Sequence, residues 1–154
     1  MPYLIDGNNL LGSWGGPAVP GDGRHEVVRR VAAFCRAKGA RAIIVFDGAP
    51  FRPEAAEQQL GAVTIRFPGP GRDADSLIRE IVDAAARPAE LVVVSSDKPV
   101  YSYARTRGAR VLRAHEWNAL AREVPPRRRK GAANGEKPER ETDVEGWLKR
   151  FSRE

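Results

Sequence analysis

The chain has 154 residues, 42% of them hydrophobic and 30% charged, with a formal net charge of +6 and a pI of about 10.0. This length predicts one domain with a core of its own, and every apolar run is shorter than the roughly 18 residues of a membrane helix. The single cysteine, Cys35, excludes an internal disulfide. Because the N-terminus begins with a strand-like run rather than a secretory signal, we expect a cytoplasmic protein without a membrane partner.

The charge distribution favours a polyanionic partner. Residues 122–154 hold 10 Lys and Arg against 7 Asp and Glu, which is +3 of the total +6, and their run RRRK at 127–130 is unbroken. Acidic clusters within a basic chain suit an enzyme that acts on a phosphate polymer, since a cation occupies the carboxylates and the surrounding Lys and Arg bind phosphate. A high Arg and Ala content that reflects only coding bias is the alternative that composition leaves open.

The first sixty residues alternate apolar runs with helical patterns. Residues 3–6 predict a strand, the Gly-, Asn- and Pro-rich residues 7–23 predict a loop, and residues 24–38 predict a helix with apolar positions at three-four spacing. Cys35 lies on the apolar face of that helix, which predicts core packing. Residues 42–47 predict a second strand and residues 52–60 a weak, polar helix.

The next sixty residues repeat the alternation. After a third strand, the Gly- and Pro-rich turn PGPGR leads into a further helix. Strands that alternate with helices predict a mostly parallel sheet with helices on both faces, and we therefore expect an α/β fold, a three-layer α/β/α sandwich. The predicted elements are strands at 63–67, 91–95 and 111–113 and helices at 75–87, 99–107 and 116–123.

The sequence pattern changes after residue 122. Residues 123–141 have no helical or strand periodicity, which predicts a basic flexible linker. Residues 142–154 predict a C-terminal amphipathic helix, in which Thr142 and Glu145 have the spacing of a capping box. We expect this helix to dock on one of three surfaces: the protein's own domain, a second copy of the chain, or another partner. Its apolar stripe consists of Val144, Trp147, Leu148 and Phe151.

Aspartates stand where apolar runs end or a helix begins. Asp6, Asp47 and Asp97 follow strands, and Asp73 and Asp75 open the helix after the third strand. Ligands of open α/β sheets bind at the carboxyl edge of the strands, and several carboxylates there repel one another unless a cation or a proton intervenes. The pattern therefore predicts a Mg²⁺ or Mn²⁺ site. Asp6, Asp75 and Asp97 converge there if the first and fourth predicted strands are neighbours.

Two of these aspartates have a second interpretation. Asp73 is either a supplementary metal ligand or the N-cap of the helix that follows it. Asp47 is either a ligand or the first residue of an Asp-Gly turn.

Polar and basic residues at the same edge are candidate contacts for water and phosphate. Asn8 is predicted to orient a metal-bound water or to contact a phosphate, or else to form a left-handed turn after the first strand. Ser95 and Ser96 are predicted to bind a carboxylate or phosphate oxygen, or to cap the next helix. The candidate phosphate contacts among the basic residues are Arg52, Arg66, Arg72 and Lys98.

Four motifs, YLIDGNNLL, VFDG, DADSLI and LVVVSSD, resemble the YacP-like group of NYN-domain proteins within the PIN-like nuclease superfamily. The resemblance covers residues 1–122. It implies a PIN-like sheet and a metal-dependent endoribonuclease in which Asp6, Asp75 and Asp97 hold Mg²⁺ or Mn²⁺. It also implies cleavage of mRNA in association with the ribosome, whose RNA would be a partner for the basic linker. The further pocket residues that the resemblance implies are Asn8, Asp47, Asp73 and Ser95.

The residues alone leave two other functions open. A non-catalytic RNA- or ribosome-binding module with a vestigial acidic pocket would bind RNA without cleaving it. A receiver-like phosphorylation switch would use Asp47 as the phosphate acceptor, but the acidic pair expected beside the first strand is absent, since only Asp6 stands there. Only the resemblance narrows the substrate from nucleic acid to RNA.

Overall fold

A computed structural model describes residues 2–14, 23–48 and 57–123 of the protein. The strands in these residues are β1 (Pro2–Asp6), β2 (Arg41–Val45), β3 (Glu57–Leu60), β4 (Val63–Arg66), β5 (Val92–Val94) and β6 (Arg110–Leu112). The α-helices are α1 (Gly7–Ser13), α2 (Arg24–Lys38), α3 (Ala74–Ala84), α4 (Lys98–Thr106) and α5 (Ala114–Arg122).

The strands form one sheet with the order β3-β4-β2-β1-β5-β6. Neighbouring strands are parallel, except that β3 is antiparallel to β4. The chain builds outward from β1 to β2 and β4, and α3 then returns it to β5 on the other side of β1. The condition under which the aspartates converge, that the first and fourth predicted strands are neighbours, is therefore met by β1 and β5. They flank the point where the strand order reverses, the place where open α/β sheets bind ligands.

Helices cover both faces of the sheet and bury two apolar cores. On one face, Val31 of α2 and Trp117 of α5 pack in the same core as Ile5. On the other face, Leu77 of α3 packs in a core with Leu4. Leu4 and Ile5 belong to opposite faces because successive side chains of a strand alternate. The predicted three-layer α/β/α sandwich is confirmed.

The first helix corrects the sequence-based prediction of a loop over residues 7–23, because Gly7–Ser13 forms α1. Leu10 is fully buried and Leu11 packs against the same core. This burial overrides the weak helix propensity of the glycine and asparagine residues around them. Residues 15–22 lie outside the described part of the chain.

The edge strand β3 corrects a second prediction, that of a helix over residues 52–60. Glu57–Leu60 pairs with β4 as a hairpin, in which Leu60 is opposite Val63. The connecting turn has two residues, and its first residue, Gly61, has a φ of 58°, which glycine adopts without the steric cost of a side chain. Pairing with β4 thus decides the conformation of a segment without a strong helical pattern of its own. Residues 52–56 lie outside the described residues.

The other predicted elements agree with the observed ones to within a few residues, and Cys35 is buried in the core as expected. The C-terminal helix at 142–154 and the linker beyond Glu123 fall outside the ranges given above. None of the helices in the described ranges is long and apolar enough to cross a membrane.

A substitution in α1 tests how tightly this helix is packed. A Cβ added at Gly7 would lie 2.5 Å from Cε1 of Phe46 and 3.0 Å from Cγ2 of Ile44, both fully buried residues. We expect Gly7→Ala to lower the free energy of unfolding by about 1 to 3 kcal/mol, because the core has no space for the methyl group. Gly12→Ala in the same helix is the matched control, since a Cβ there meets no atom of the described residues within 4 Å.

Urea denaturation measures both variants of this pair. Gly12→Ala is expected to leave stability unchanged or to raise it by about 0.5 to 1 kcal/mol, the usual gain from replacing glycine within a helix. Equal effects at the two positions would contradict the packing seen at Gly7.

Candidate metal centre

Three aspartates meet at the carboxyl edge of the sheet. Asp6 ends β1, Asp97 lies between β5 and α4, and Asp75 is in the first turn of α3. One carboxylate oxygen of each lies within 4.8 Å of the others. The structure therefore brings together the three residues that the sequence selects, from two adjacent strands and one helix start. We call these three residues the aspartate triad.

Asp6 is the most buried member of the triad, with 5% of its surface exposed. Its Oδ2 accepts a hydrogen bond of 3.0 Å from the Ser95 hydroxyl. The pKa of Asp6 is raised from the ordinary 3.8 to about 6, mainly by burial, and the nearby Asp75 and Asp97 carboxylates act in the same direction. Hydrogen bonds from Ser95 and from the backbone of Asn9 oppose this rise, because they favour the charged form.

The pKa of Asp75, a second member of the triad, is also raised. Burial raises the pKa of Asp75, and Asp97 and Asp73 contribute in the same direction, whereas Arg79 opposes them. Carboxylates that lie close together raise one another's pKa values unless a cation balances their charge. The triad therefore has the electrostatic character of a cation site. Three carboxylate oxygens are also the donor set that hard divalent ions prefer.

Ser95 and Ser96 connect the triad to its surroundings. The Ser95 hydroxyl donates to Asp6 and accepts the backbone N–H of Asp97 at 3.1 Å. The Ser96 hydroxyl accepts the backbone N–H of Ala114 at 2.9 Å and so connects the end of β5 to α5. Each hydroxyl forms hydrogen bonds within the protein in this structure. Contact of either residue with the substrate stays a prediction.

Two asparagines in the first turn of α1 link the loops around the site. The side-chain oxygen of Asn8 accepts the backbone N–H of Asp47 at 2.6 Å, and that of Asn9 accepts the N–H of Ser96 at 2.7 Å. The alternative of a left-handed Asn8 is wrong, since no described non-glycine residue has a positive φ. Asn9 was not selected from the sequence. The sequence signal for Asn9 is its position next to Asn8 after β1. Neighbouring side chains of a helix point in different directions and can therefore reach different loops.

Asp47 and Asp73 lie outside the triad and hold the start of α3. Asp47 Oδ1 accepts the N–H of Ala74 at 2.7 Å. Asp73 is the N-cap, with its Oδ1 accepting the N–H of Ser76 at 2.9 Å, and this bond lowers the pKa of the exposed Asp73 carboxyl. Both carboxylates therefore accept hydrogen bonds from backbone N–H groups at the start of α3, and a role as supplementary ligands stays a prediction.

The predicted phosphate contacts differ in how they are paired. Arg72 forms an ion pair with Glu80, and Arg66 forms one with Glu57 at 3.6 Å. Lys98 is exposed at the first position of α4, directly after Asp97. Arg52 lies outside the described residues.

Comparisons with known proteins identify a family for the sequence and solved structures with a similar fold. A model of the YacP-like NYN domain family matches residues 3–153. The fold is similar to the crystal structure of Rae1 (YacP) from Bacillus subtilis, with a TM-score of 0.69 and 23% identity over 99% of this chain and 92% of that one. A tryptophan-to-leucine mutant of that protein gives a TM-score of 0.62 at 23% identity, over 80% of this chain and 76% of that one. The curated proteins contain no match to the chain.

Proposed function

We propose that this chain, which belongs to the YacP-like NYN domain family, is a metal-dependent endoribonuclease that hydrolyses RNA phosphodiester bonds. The aspartate triad is the observation that carries the proposal, since its three carboxylates lie within 4.8 Å of one another at the switch point of the sheet. Nuclease domains of this kind act on nucleic acid, and the net charge of +6 suits a polyanionic substrate.

Asp6, Asp75 and Asp97 would hold Mg²⁺ or Mn²⁺. The donor set fits, because all three groups are carboxylates and the buried Asp6 gains a favourable partner for a charge that its surroundings otherwise disfavour. When bound, such an ion acts as a Lewis acid toward a phosphoryl oxygen and lowers the pKa of a coordinated water. Asp47, which follows β2, and Asp73, at the start of α3, would supplement the triad.

The remaining residues of the site position these groups. Ser95 fixes one oxygen of Asp6 and the backbone of Asp97, so that both carboxylates face the same point. Asn8 holds the loop that carries Asp47. Basic side chains at the rim would hold the phosphates on either side of the bond that is cut. The candidates for this role are Lys98, Arg72 and Arg52.

We further propose that the substrate is mRNA, cleaved in the cytoplasm in association with the ribosome. This part rests on the family resemblance of the sequence, together with the run RRRK at 127–130, which would bind ribosomal RNA through its charge.

The proposal is tested with purified protein and an end-labelled single-stranded RNA. Cleavage is expected with Mn²⁺ or Mg²⁺, is lost in a chelator and returns when the ion is restored in excess. A DNA of the same sequence, assayed in parallel, establishes whether the sugar matters. RNA retention without cleavage in any divalent ion would contradict the proposal and favour a non-catalytic binding module.

A further inference from the structure

Helix α4 carries two tyrosine rings that are each flanked by two arginines. The guanidinium carbons of Arg113 and Arg105 lie 4.8 Å and 5.5 Å from the centre of the Tyr101 ring. Those of Arg107 and Arg79 lie 4.9 Å and 5.4 Å from the centre of the Tyr103 ring. The two clusters therefore have the same composition, which makes a comparison of their charge informative.

The clusters differ in whether the positive charge is balanced. Asp83 accepts a hydrogen bond of 2.8 Å from the Tyr103 hydroxyl and forms an ion pair of 3.6 Å with Arg107. In the Tyr101 cluster, neither Arg105 nor Arg113 has an ion pair with a carboxylate of the described residues. Two guanidinium groups thus share one ring without an ion pair to a carboxylate of the described residues.

The Tyr101 cluster is connected to the candidate metal centre through short backbone and side-chain bonds. Tyr101 lies in the first turns of α4, and its N–H bonds to the carbonyl of Asp97 at 3.0 Å. Arg113 follows β6 and precedes Ala114, whose N–H bonds to the Ser96 hydroxyl. The cluster therefore lies on the β5–β6 side of the triad, with Tyr101 and Arg105 on the helix that begins at the exposed Lys98.

Arg113 is held in position before any ligand binds. Its Nη2 donates to the Tyr101 hydroxyl at 3.0 Å, and its backbone N–H donates to Glu116 Oε1 at 2.7 Å. A guanidinium has five N–H donors in a rigid fork, so one bond to Tyr101 leaves donors for a phosphate. Phosphate oxygens accept such bonds well, and a phosphate at this place would also relieve the repulsion between the two arginines.

We propose that Arg105, Arg113 and Lys98 bind the phosphates of the RNA strand on one side of the scissile bond, with Tyr101 as the support for the guanidinium groups. The inference rests on the proposed function, in that the polyanion is single-stranded RNA. It adds a direction to the substrate, because the part of the strand on this side of the scissile bond lies over α4 and the start of α5. On the side of β2 and β4 the described Arg66 is paired with Glu57.

The test measures RNA affinity apart from cleavage. A fluorescent single-stranded RNA is titrated in a chelator, at several salt concentrations, with wild type, Arg105→Gln, Arg113→Gln and the double variant. Each single substitution is expected to weaken binding by roughly three- to tenfold, and each lost phosphate contact reduces the slope of log affinity against log salt by about 0.7. Arg107→Gln is the matched control from the balanced cluster, with an expected change of less than about twofold.

The outcomes separate this proposal from the proposed function. Unchanged affinity and salt slope in the double variant, or an equal loss in Arg107→Gln, overturns the assignment of the Tyr101 cluster even if the enzyme cleaves RNA. A loss of RNA affinity in the double variant but not in Arg107→Gln supports the assignment. This holds even if no ion produces cleavage, because that result would contradict only the proposed nuclease activity. Arg105→Gln makes the test independent of folding, since the exposed side chain of Arg105 has no hydrogen bond or ion pair in the described residues.

Discussion

Asp6→Asn and Asp97→Asn are each expected to lower the rate of RNA cleavage by more than about a hundredfold. Each change preserves the size of the side chain but removes one carboxylate from a set whose oxygens lie within 4.8 Å of one another. A hard divalent ion then loses a charged ligand, and a neutral amide oxygen is a weaker replacement. Initial rates on labelled single-stranded RNA in Mn²⁺ and in Mg²⁺ measure the effect, with circular dichroism to verify folding.

The matched control is Asp83→Asn. Asp83 lies on the same helix as Asp75, but it is exposed and contacts Tyr103 and Arg107 rather than the triad. Its loss is expected to change the rate by less than about twofold, because exposed ion pairs contribute little. Cleavage at the wild-type rate by a protein that carries both Asp6→Asn and Asp97→Asn would show that the triad is not the site.

The same assay decides between the two interpretations of Asp73. Asparagine is as good an N-cap as aspartate, so Asp73→Asn retains the bond to Ser76 in α3 and removes only the charge. A rate close to that of wild type means that Asp73 serves as a cap. A rate reduced by more than about tenfold supports a supplementary ligand.

Asp6→Asn is also expected to stabilise the metal-free protein, by about 2 to 3 kcal/mol at about pH 7 to 8. Burial raises the pKa of Asp6 from 3.8 to about 6, so the folded state binds this proton more tightly than the unfolded chain does. Above the folded-state pKa, the native protein holds a buried charge that the unfolded chain exposes to water. Asparagine carries no charge at any pH, and the variant does not have this cost.

The gain in stability should therefore depend on pH. It is expected at full size above about pH 6, to decrease between about pH 6 and pH 4, and to vanish below the ordinary pKa of 3.8, where both states of wild type are protonated. Urea midpoints at a series of pH values in a chelator measure the difference. A wild type that is the more stable of the two at neutral pH would contradict the burial of a charged Asp6.

Adding a divalent ion to the same measurement links stability to the proposed site. An ion that binds only the folded wild type raises its stability by about 2.7 kcal/mol at a hundredfold excess over the dissociation constant. The difference between wild type and Asp6→Asn should then decrease or change sign. Equal stabilisation of both proteins would place the ion elsewhere.

The sequence was sufficient to predict the sheet and the triad because both depend on strong local signals. Apolar runs such as IIVF and LVVV identify central strands, and an aspartate at the end of such a run must lie at the carboxyl edge. The proximity of Asp6 to Asp97 was predicted only on the condition that the first and fourth predicted strands are neighbours, which the pairing of β1 with β5 meets. Asp75 follows from its place two residues after the N-cap Asp73.

The elements that were mispredicted depend on contacts between distant parts of the chain. Helix α1 exists because Leu10 fits a core built from other helices, and β3 exists because β4 provides a partner. The same limit applies to Asp47, whose carboxylate bonds to Ala74 on a different element. A hydrogen bond between residues far apart in sequence leaves no periodic pattern, so spacing alone does not distinguish a helix cap from a metal ligand.

The side chains that join the loops of the site are mostly amides and hydroxyls. Asn8, Asn9 and Ser96 each accept a backbone N–H from another segment, at 2.6 Å, 2.7 Å and 2.9 Å. None of these groups changes its charge between mildly acidic and alkaline solution. These three links are therefore insensitive to the proton and salt conditions that alter the nearby carboxylates. Charge can be gained, lost or neutralised at the aspartate triad without breaking them, whereas the bond that joins Asp47 to Ala74 depends on a carboxylate.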